Sequence, residues 1–190
     1  IPARGGSKRI PKKNISNFNG KPMIAWSIES AQKSRCFDRI IVSTDDIEIA
    51  EIARTFGADV PFLRPAYLSD DHTGTLPVVK HALQYLDSSS FSCTSLCCLY
   101  ATAPFAQYTD ISKGLSLLEE CDLKSFVYTA TEFVAPIERA LRIDQESGKS
   151  FMLNPQKFTM RSQDCELIYH DAGQFYWGCY QAWLNNGNLF

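Results

Sequence analysis

Between residues 1 and 129, short apolar runs alternate with stretches of helical period, and this alternation constrains the fold of the 190-residue chain more than any other feature. Ser95-Leu96-Cys97-Cys98-Leu99-Tyr100 is apolar almost throughout, as a strand covered on both faces must be. Arg39-Ile40-Ile41-Val42-Ser43, Val60-Pro61-Phe62-Leu63 and Phe126-Val127-Tyr128-Thr129 read as further strands, with Pro61 favouring a sheet edge, and Ile1-Pro2-Ala3 reads as the end of a first one. Amphipathic helices lie between them. Ile24, Ile28 and Ala31 form a stripe at i, i+4 and i+7 behind Pro22, a residue suited to a first helical turn. Ile49, Ala53 and Phe56 form another, ended by Gly57, and Leu76, Val79, Leu83 and Leu86 a third. Ile111, Leu115 and Leu118 form the fourth. The pattern predicts an α/β fold built on a doubly wound, mostly parallel sheet. Right-handed crossovers collect the strand-to-helix loops at the carboxyl edge, so the loops at 4–14, 44–46, 64–74 and 101–108 are expected to line one crevice.

The first of these loops carries the densest chemistry. Arg4, Lys8, Arg9, Lys12 and Lys13 fall within ten residues, and Gly5, Gly6 and Ser7 lie among them. Glycines let the backbone bend tightly and turn its N–H groups outward, so the loop suits a small, densely charged polyanion such as a nucleoside triphosphate. A solvated basic loop is the plainer alternative. The loop is neither G-x-x-x-x-G-K-[ST] nor G-x-G-x-x-G, and the absence of the latter disfavours an oxidoreductase. Formal net charge is −2, so the basic cluster is local, which argues against a general nucleic-acid binder. Asn14 carries both a donor and an acceptor, matching a pyrimidine edge or a ribose. Thr44-Asp45-Asp46 can cap a helix, and Arg64 could pair with Asp70 or Asp71.

An apolar content of 45% with 21% charged residues fits one globular domain with a full core. No apolar run approaches the ~20 residues of a membrane span, so no membrane association is expected. The seven cysteines contain no C-x-x-C pair, and Cys97 and Cys98 read as small buried hydrophobes, which points to a reducing, cytoplasmic compartment. No cysteine and histidine set has metal-ligand spacing. After residue 132 the pattern changes. Leu141-Arg142-Ile143 and Ser150-Phe151-Met152-Leu153 read as a hairpin, and Gln174-Phe175-Tyr176-Trp177-Gly178 as an aromatic strand. Both ends look cut, with 185–190 reading as a turn and the start of something further. Residues 133–165, apolar yet appended to a completed alternation, are expected to form an arm that buries itself in a homodimer.

The opening stretch resembles the N-terminal signature I-P-A-R-x-G-S-K-x-x-x-x-K-N of the acylneuraminate (CMP-nonulosonic acid) cytidylyltransferase family. Ile1, Pro2, Ala3, Arg4, Gly6, Ser7, Lys8, Lys13 and Asn14 occupy its fixed positions. Arg39 to Asp46 is similar to the family's second strand and turn, and Arg64-Pro65-Ala66-Tyr67-Leu68-Ser69-Asp70-Asp71 resembles its R-P-x-x-L-x-x-D loop. Tyr100-Ala101-Thr102-Ala103-Pro104 stands where sialic-acid enzymes read Q-P-T-S-P, and Tyr169 to Tyr176 stands in place of R-P-N-G-x-x-Y. With 135–141, these departures resemble the pseudaminic acid branch.

The resemblance implies a Rossmann-like nucleotide-diphospho-sugar transferase fold in one domain over 1–190. It implies transfer of CMP from CTP to a nine-carbon sugar acid with release of pyrophosphate, activating the sugar for surface glycan or flagellin glycosylation. Pseudaminic acid is favoured over N-acetylneuraminate and legionaminate, and a non-catalytic sugar-nucleotide-binding module is the alternative of another class. Arg4, Lys8 and Lys13 would be catalytic. Ala3, Gly6, Ser7, Asn14, Arg64 and Thr75 would join Arg4 and Lys8 around the nucleotide, and Tyr100, Thr102, Gln174 and Tyr176 would meet the sugar. Mg²⁺ is the implied cofactor, its aspartate ligands expected beyond residue 190, with Asp45, Asp46, Asp70, Asp71 and Asp171 as the alternatives. The arm would reach a partner's crevice through Arg139 or Arg161.

Overall fold

The computed structural model describes residues 1–121, 125–185 and 189. The remainder of the expected C-terminal turn, 186–188 and 190, lies outside the described residues. The chain divides into two compact units, Ile1–Tyr128 with Gly173–Phe190, and Thr129–Ala172.

In the first unit, Asn19-Gly20 closes a two-residue hairpin between β1 (Asn17–Phe18) and β2 (Lys21–Pro22), with φ of 50° and 93° as a primed turn needs. Helix α1 (Met23–Ser34) follows, with Pro22 immediately before it. Helix α2 (Ile47–Thr55) is capped by Asp46, whose carboxylate accepts from Glu48 N and Ile49 N at 2.8 and 3.2 Å. Helix α3 (Thr75–Ser88), strand β3 (Ser95–Leu99), helix α4 (Tyr108–Glu120) and strand β4 (Phe126–Glu132) continue the alternation. The chain returns from the second unit along β7 (Tyr169–Cys179) into α5 (Tyr180–Asn185).

Extended segments at 1–3, 40–44 and 59–64 run parallel. Ala3 N donates to Ser43 O and Ser43 N to Ile1 O, both at 2.9 Å, while Val42 N donates to Asp59 O and Asp59 N to Ile40 O at 2.8 Å. The pairing is confined to the bridges Pro2–Ser43, Ile41–Asp59 and Thr44–Leu63. Pro2 and Pro61 bring no N–H to extend it. The longer ladder is antiparallel: β7 lies between β3 and β4 and pairs with β3 from Ser95↔Cys179 to Leu99↔Phe175. No crossover helix separates β4 from β7, so the parallel arrangement that βαβ units impose does not apply there.

Strand alternation sends side chains to two helical layers. Leu99, Phe175 and Trp177 pack with Ala31 of α1 and Ile111 and Leu118 of α4. Cys98 and Tyr176 pack on the opposite side with Val79, Leu83 and Leu86 of α3 and Trp183 of α5. A third cluster joins Ile24 and Ile28 of α1 to Ile49, Ala50 and Ala53 of α2 over Ala3, Val42 and Val60. Both buried indoles are satisfied, Trp177 Nε1 by Ile111 O and Trp183 Nε1 by Leu96 O, each at 3.0 Å. Helix α4 approaches β7 so closely that a Cβ on Gly114 would lie 2.8 Å from the Trp177 ring.

In the second unit, β5 (Leu141–Ile143) and β6 (Ser150–Met152) form the expected hairpin in the register Leu141↔Met152 and Ile143↔Ser150. Its turn is held by Asp144, whose carboxylate accepts from both Ser147 N and Ser147 Oγ at 2.7 Å and is thereby kept below the usual carboxylate range. Arg139 donates to Met160 O, and Arg161 pairs with Asp164, both at 2.7 Å. His170 lies against Phe133 with ring centroids 4.8 Å apart.

Candidate active site

The parallel segments and the helices that follow them bring their loops together in the first unit, around a crevice of about 600 Å³. The basic loop contributes Arg4, Ser7, Lys8, Arg9, Lys13 and Asn14 to its wall. Its path depends on two contacts. Gly5 N donates to Asp45 Oδ1 at 2.9 Å, and Asn14 Nδ2 donates to Arg4 O at 2.8 Å, which stitches the two ends of the loop together. Asn14 is buried, so its amide nitrogen serves the loop while the residue still lines the crevice. A Cβ on Gly5 would lie 2.6 Å from Asp46 Oδ2, whereas one on Gly6 would meet nothing within 4 Å. Gly5 is thus the glycine that the packing requires, although Gly6 is the one the motif holds fixed. Lys12 adopts φ 51°, a left-handed conformation uncommon for a non-glycine residue, and its amine pairs with Glu48 at the start of α2.

The 64–74 loop contributes Arg64, Leu68, Asp70, Asp71, Thr73 and Gly74. Only 3% of the Arg64 side chain is exposed. Its Nε donates to Ser69 Oγ at 3.2 Å, Asp45 Oδ1 lies 3.8 Å from Nη2, and Nη2 has no hydrogen-bond partner. Burial pulls the Arg64 pKa down, while nearby Asp45 opposes that shift. The alternative pairing of Arg64 with Asp70 or Asp71 does not form: Asp71 instead engages Arg4 and Lys8.

Thr75 begins α3, and its Oγ1 lies 2.9 Å from the Tyr100 hydroxyl. Tyr100 is anchored at both backbone groups, its N–H donating to Gln174 O at 2.9 Å and its carbonyl accepting from the buried Ser27 Oγ at 2.8 Å. The Tyr100 ring lies edge-on to Tyr176, with centroids 5.5 Å apart. Ala101 and Thr102 complete this wall.

Ala3, Gly6, Gln174 and Tyr176 are not among the residues lining the crevice. Ala3 is packed in the core beneath the loop, Gln174 acts through its backbone on Tyr100, and Tyr176 is buried below that ring. Thr73 and Gly74 fall in the 64–74 loop expected to line the crevice, whereas Val78, in the first turn of α3, was not singled out by the sequence. A smaller cavity of about 160 Å³, beside Cys97, Leu99 and Trp177, is lined mainly by apolar side chains and lies apart from the basic loop.

Among the described residues, no group of three or more His, Cys, Asp or Glu side chains could hold a metal ion. The crevice carboxylates do not fit a protein-held Mg²⁺ site. Asp70 Oδ1 accepts from His72 N, Thr73 N and Thr73 Oγ1, and both oxygens of Asp71 face cations. No helix among the described residues is long and apolar enough to cross a membrane.

The chain is 44% identical over 190 residues to the pseudaminic acid cytidylyltransferase of Campylobacter jejuni subsp. jejuni serotype O:23/36 (strain 81-176), covering 100% of this chain and 81% of that protein. It is 32% identical over 192 residues to the N-acylneuraminate cytidylyltransferase of Escherichia coli O18:K1:H7 (strain RS218 / NMEC), covering 100% of this chain and 44% of that protein. A structure of CMP:2-keto-3-deoxy-manno-octonic acid synthetase complexed with CTP shares the fold at a TM-score of 0.71 and 18% identity, over 97% of this chain and 74% of that one. The profile of the family described as "Cytidylyltransferase" matches residues 1–166, and the chain belongs to that family.

Proposed function

We propose that this cytidylyltransferase transfers CMP from CTP to a nonulosonic sugar acid, and that the acid is pseudaminic acid. The observation that carries the catalytic reading is the convergence of Arg4 and Lys8 on a single anionic group at the crevice wall. Two cations set around one anion are what a transferring phosphoryl group requires. The choice of acid rests on the 44% identity over the whole chain to relatives of that name.

In this reading the anomeric hydroxyl oxygen attacks the α-phosphorus of CTP. A new P–O bond forms as the hydroxyl loses its proton to solvent water, the bond to the β-phosphate oxygen breaks, and pyrophosphate departs with that electron pair. Arg4 and Lys8 hold the triphosphate, with Ser7 and the loop amides beside them, and Lys13 meets a further phosphate oxygen. Arg64 offers its unfilled Nη2 donor to the nucleoside, near Thr75 and Asn14. Tyr100 and Thr102 face the sugar, with Tyr176 supporting Tyr100 from below. Ala3 and Gly6 contribute through the course of the backbone, and Gln174 by holding Tyr100. Mg²⁺ would neutralise phosphate charge when bound, but none of these roles is routed through it. We also assign the protein to the cytoplasm, where CTP is made available, and to a homodimer formed by its second unit.

The test is a panel of pseudaminic, legionaminic and N-acetylneuraminic acids, each supplied with CTP and Mg²⁺, with pyrophosphate release followed. Pseudaminic acid should exceed the others in kcat/KM by roughly tenfold or more. Preference for another acid would correct the substrate, and no pyrophosphate with any of them would reject the transfer reaction. Chelation with EDTA should abolish turnover, and added MgCl₂ should restore it.

A further inference from the structure

Two of the cations assigned above to the triphosphate, Arg4 and Lys8, are already paired in this structure. Arg4 Nη1 donates to Asp71 Oδ1 at 2.6 Å and to the Asp70 carbonyl at 3.1 Å, and the Lys8 amine pairs with the other carboxylate oxygen, Asp71 Oδ2. One carboxylate thus spans both cations with both of its oxygens, a geometry that phosphate oxygens share. Asp71 does not belong to the basic loop but to the 64–74 loop that also lines the crevice.

The two neighbouring aspartates have different jobs. Asp70 is tied into its own loop, its Oδ1 accepting from His72 N at 3.0 Å, Thr73 N at 2.6 Å and Thr73 Oγ1 at 2.7 Å. The Asp71 carboxylate instead reaches across to Arg4 and Lys8 of the basic loop. Its side chain is 28% exposed and that of Lys8 is 81% exposed, so water can reach both groups as they part. Lys8, and then Arg4, hold the Asp71 carboxyl down at about 2, so it remains an anion at any working pH.

We propose that Asp71 is an exchangeable counter-ion, which stands between Arg4 and Lys8 where a phosphate group will sit and releases both cations when nucleotide enters. The proposal rests on the reading that Arg4 and Lys8 bind phosphate. It has a physical rationale on each side of the exchange. Without an anion, two like charges in one narrow loop repel each other and splay, and Asp71 keeps them converged. With a triphosphate present, a multiply charged ligand outcompetes a single carboxylate. The exchange lowers apparent affinity, because the binding-competent state is only part of the free population. It also helps clear the site after reaction, as Asp71 can recapture the cations from departing pyrophosphate.

Calorimetric titration with sodium pyrophosphate, without divalent metal, tests this on the whole chain. Asp71→Asn and Asp71→Ser remove the charge and should tighten pyrophosphate binding roughly three- to tenfold. Asp71→Glu restores the charge and should return the affinity close to that of the wild type. Unchanged or weaker binding in both neutral variants, with native circular dichroism, would overturn the proposal. Arg4→Ala and Lys8→Ala in the same titration test the reading beneath it. If both bind pyrophosphate like the wild type, the phosphate assignment fails whatever Asp71 does.

Discussion

The Tyr100 hydroxyl lies 2.9 Å from Oγ1 of Thr75, joining a residue expected at the sugar to one expected at the nucleoside. The bond ties the end of β3 to the first turn of α3, so neither subsite can shift without the other. Removing either partner should therefore disturb both substrates. Tyr100→Phe and Thr75→Val should each raise KM for CTP and for the sugar acid by roughly two- to tenfold. The double variant should be little worse than the poorer single one, because the two share one interaction. Fully additive effects in steady-state kinetics would show that the two residues act separately.

Gly5 and Gly6 should differ sharply in tolerance. A Cβ on Gly5 would collide with the Asp46 carboxylate, which caps α2, whereas a Cβ on Gly6 meets open space. Gly5→Ala should cost about 1–2 kcal/mol through the displaced cap and the overpacked loop. Gly6→Ala should leave stability within about 0.5 kcal/mol of the wild type. Urea denaturation midpoints decide between this and equal costs.

Alkaline pH should weaken the fold through the buried thiols of β3. Burial pushes Cys98 up to about 11 and Cys97 well above the ordinary value of 9.0. The folded protein thus holds these protons more tightly than the unfolded chain does. Their contribution is complete below pH 9 and is lost as pH rises through 11. Urea midpoints should fall over that window, and a Cys98→Ala variant should fall less. At neutral pH, iodoacetamide should modify exposed Cys121 and spare buried Cys98 in the native protein.

The second unit should hold the protein together as a dimer. Leu141, Ile143, Phe151 and Leu153 are all more than half exposed on or beside a hairpin too small to be stable alone. Light scattering at micromolar concentration should give twice the chain mass, and Phe151→Asp should shift it to the monomer. A monomeric wild type would remove the assembly and any shared site.

The readable features were those governed by neighbours in the chain. Asn19-Gly20 closes its hairpin because both residues accept positive φ, and Asp46 caps α2 through amides two and three residues away. The β5–β6 hairpin likewise follows from two apolar runs around a turn. The alternation of apolar runs and amphipathic stripes carried the two-layered core, because burial on a helix or strand repeats with the geometry of that element. Beyond that reach, the choices belonged to the tertiary structure. Adjacent Asp45 and Asp46 look equivalent as letters. Only the close approach of the basic loop gives Asp45 to Gly5 N–H and leaves Asp46 to the helix. The Arg4–Asp71 and Tyr100–Thr75 contacts join residues 67 and 25 positions apart. The antiparallel pairing of β7 with β3 joins residues from 76 (Leu99↔Phe175) to 84 (Ser95↔Cys179) positions apart. Charge, hydrogen-bonding capacity and side-chain period are properties of a residue and its near neighbours, and the sequence determined them. Which cation meets which carboxylate is a matter of distance across the folded chain, and that only the packing of the loops decided.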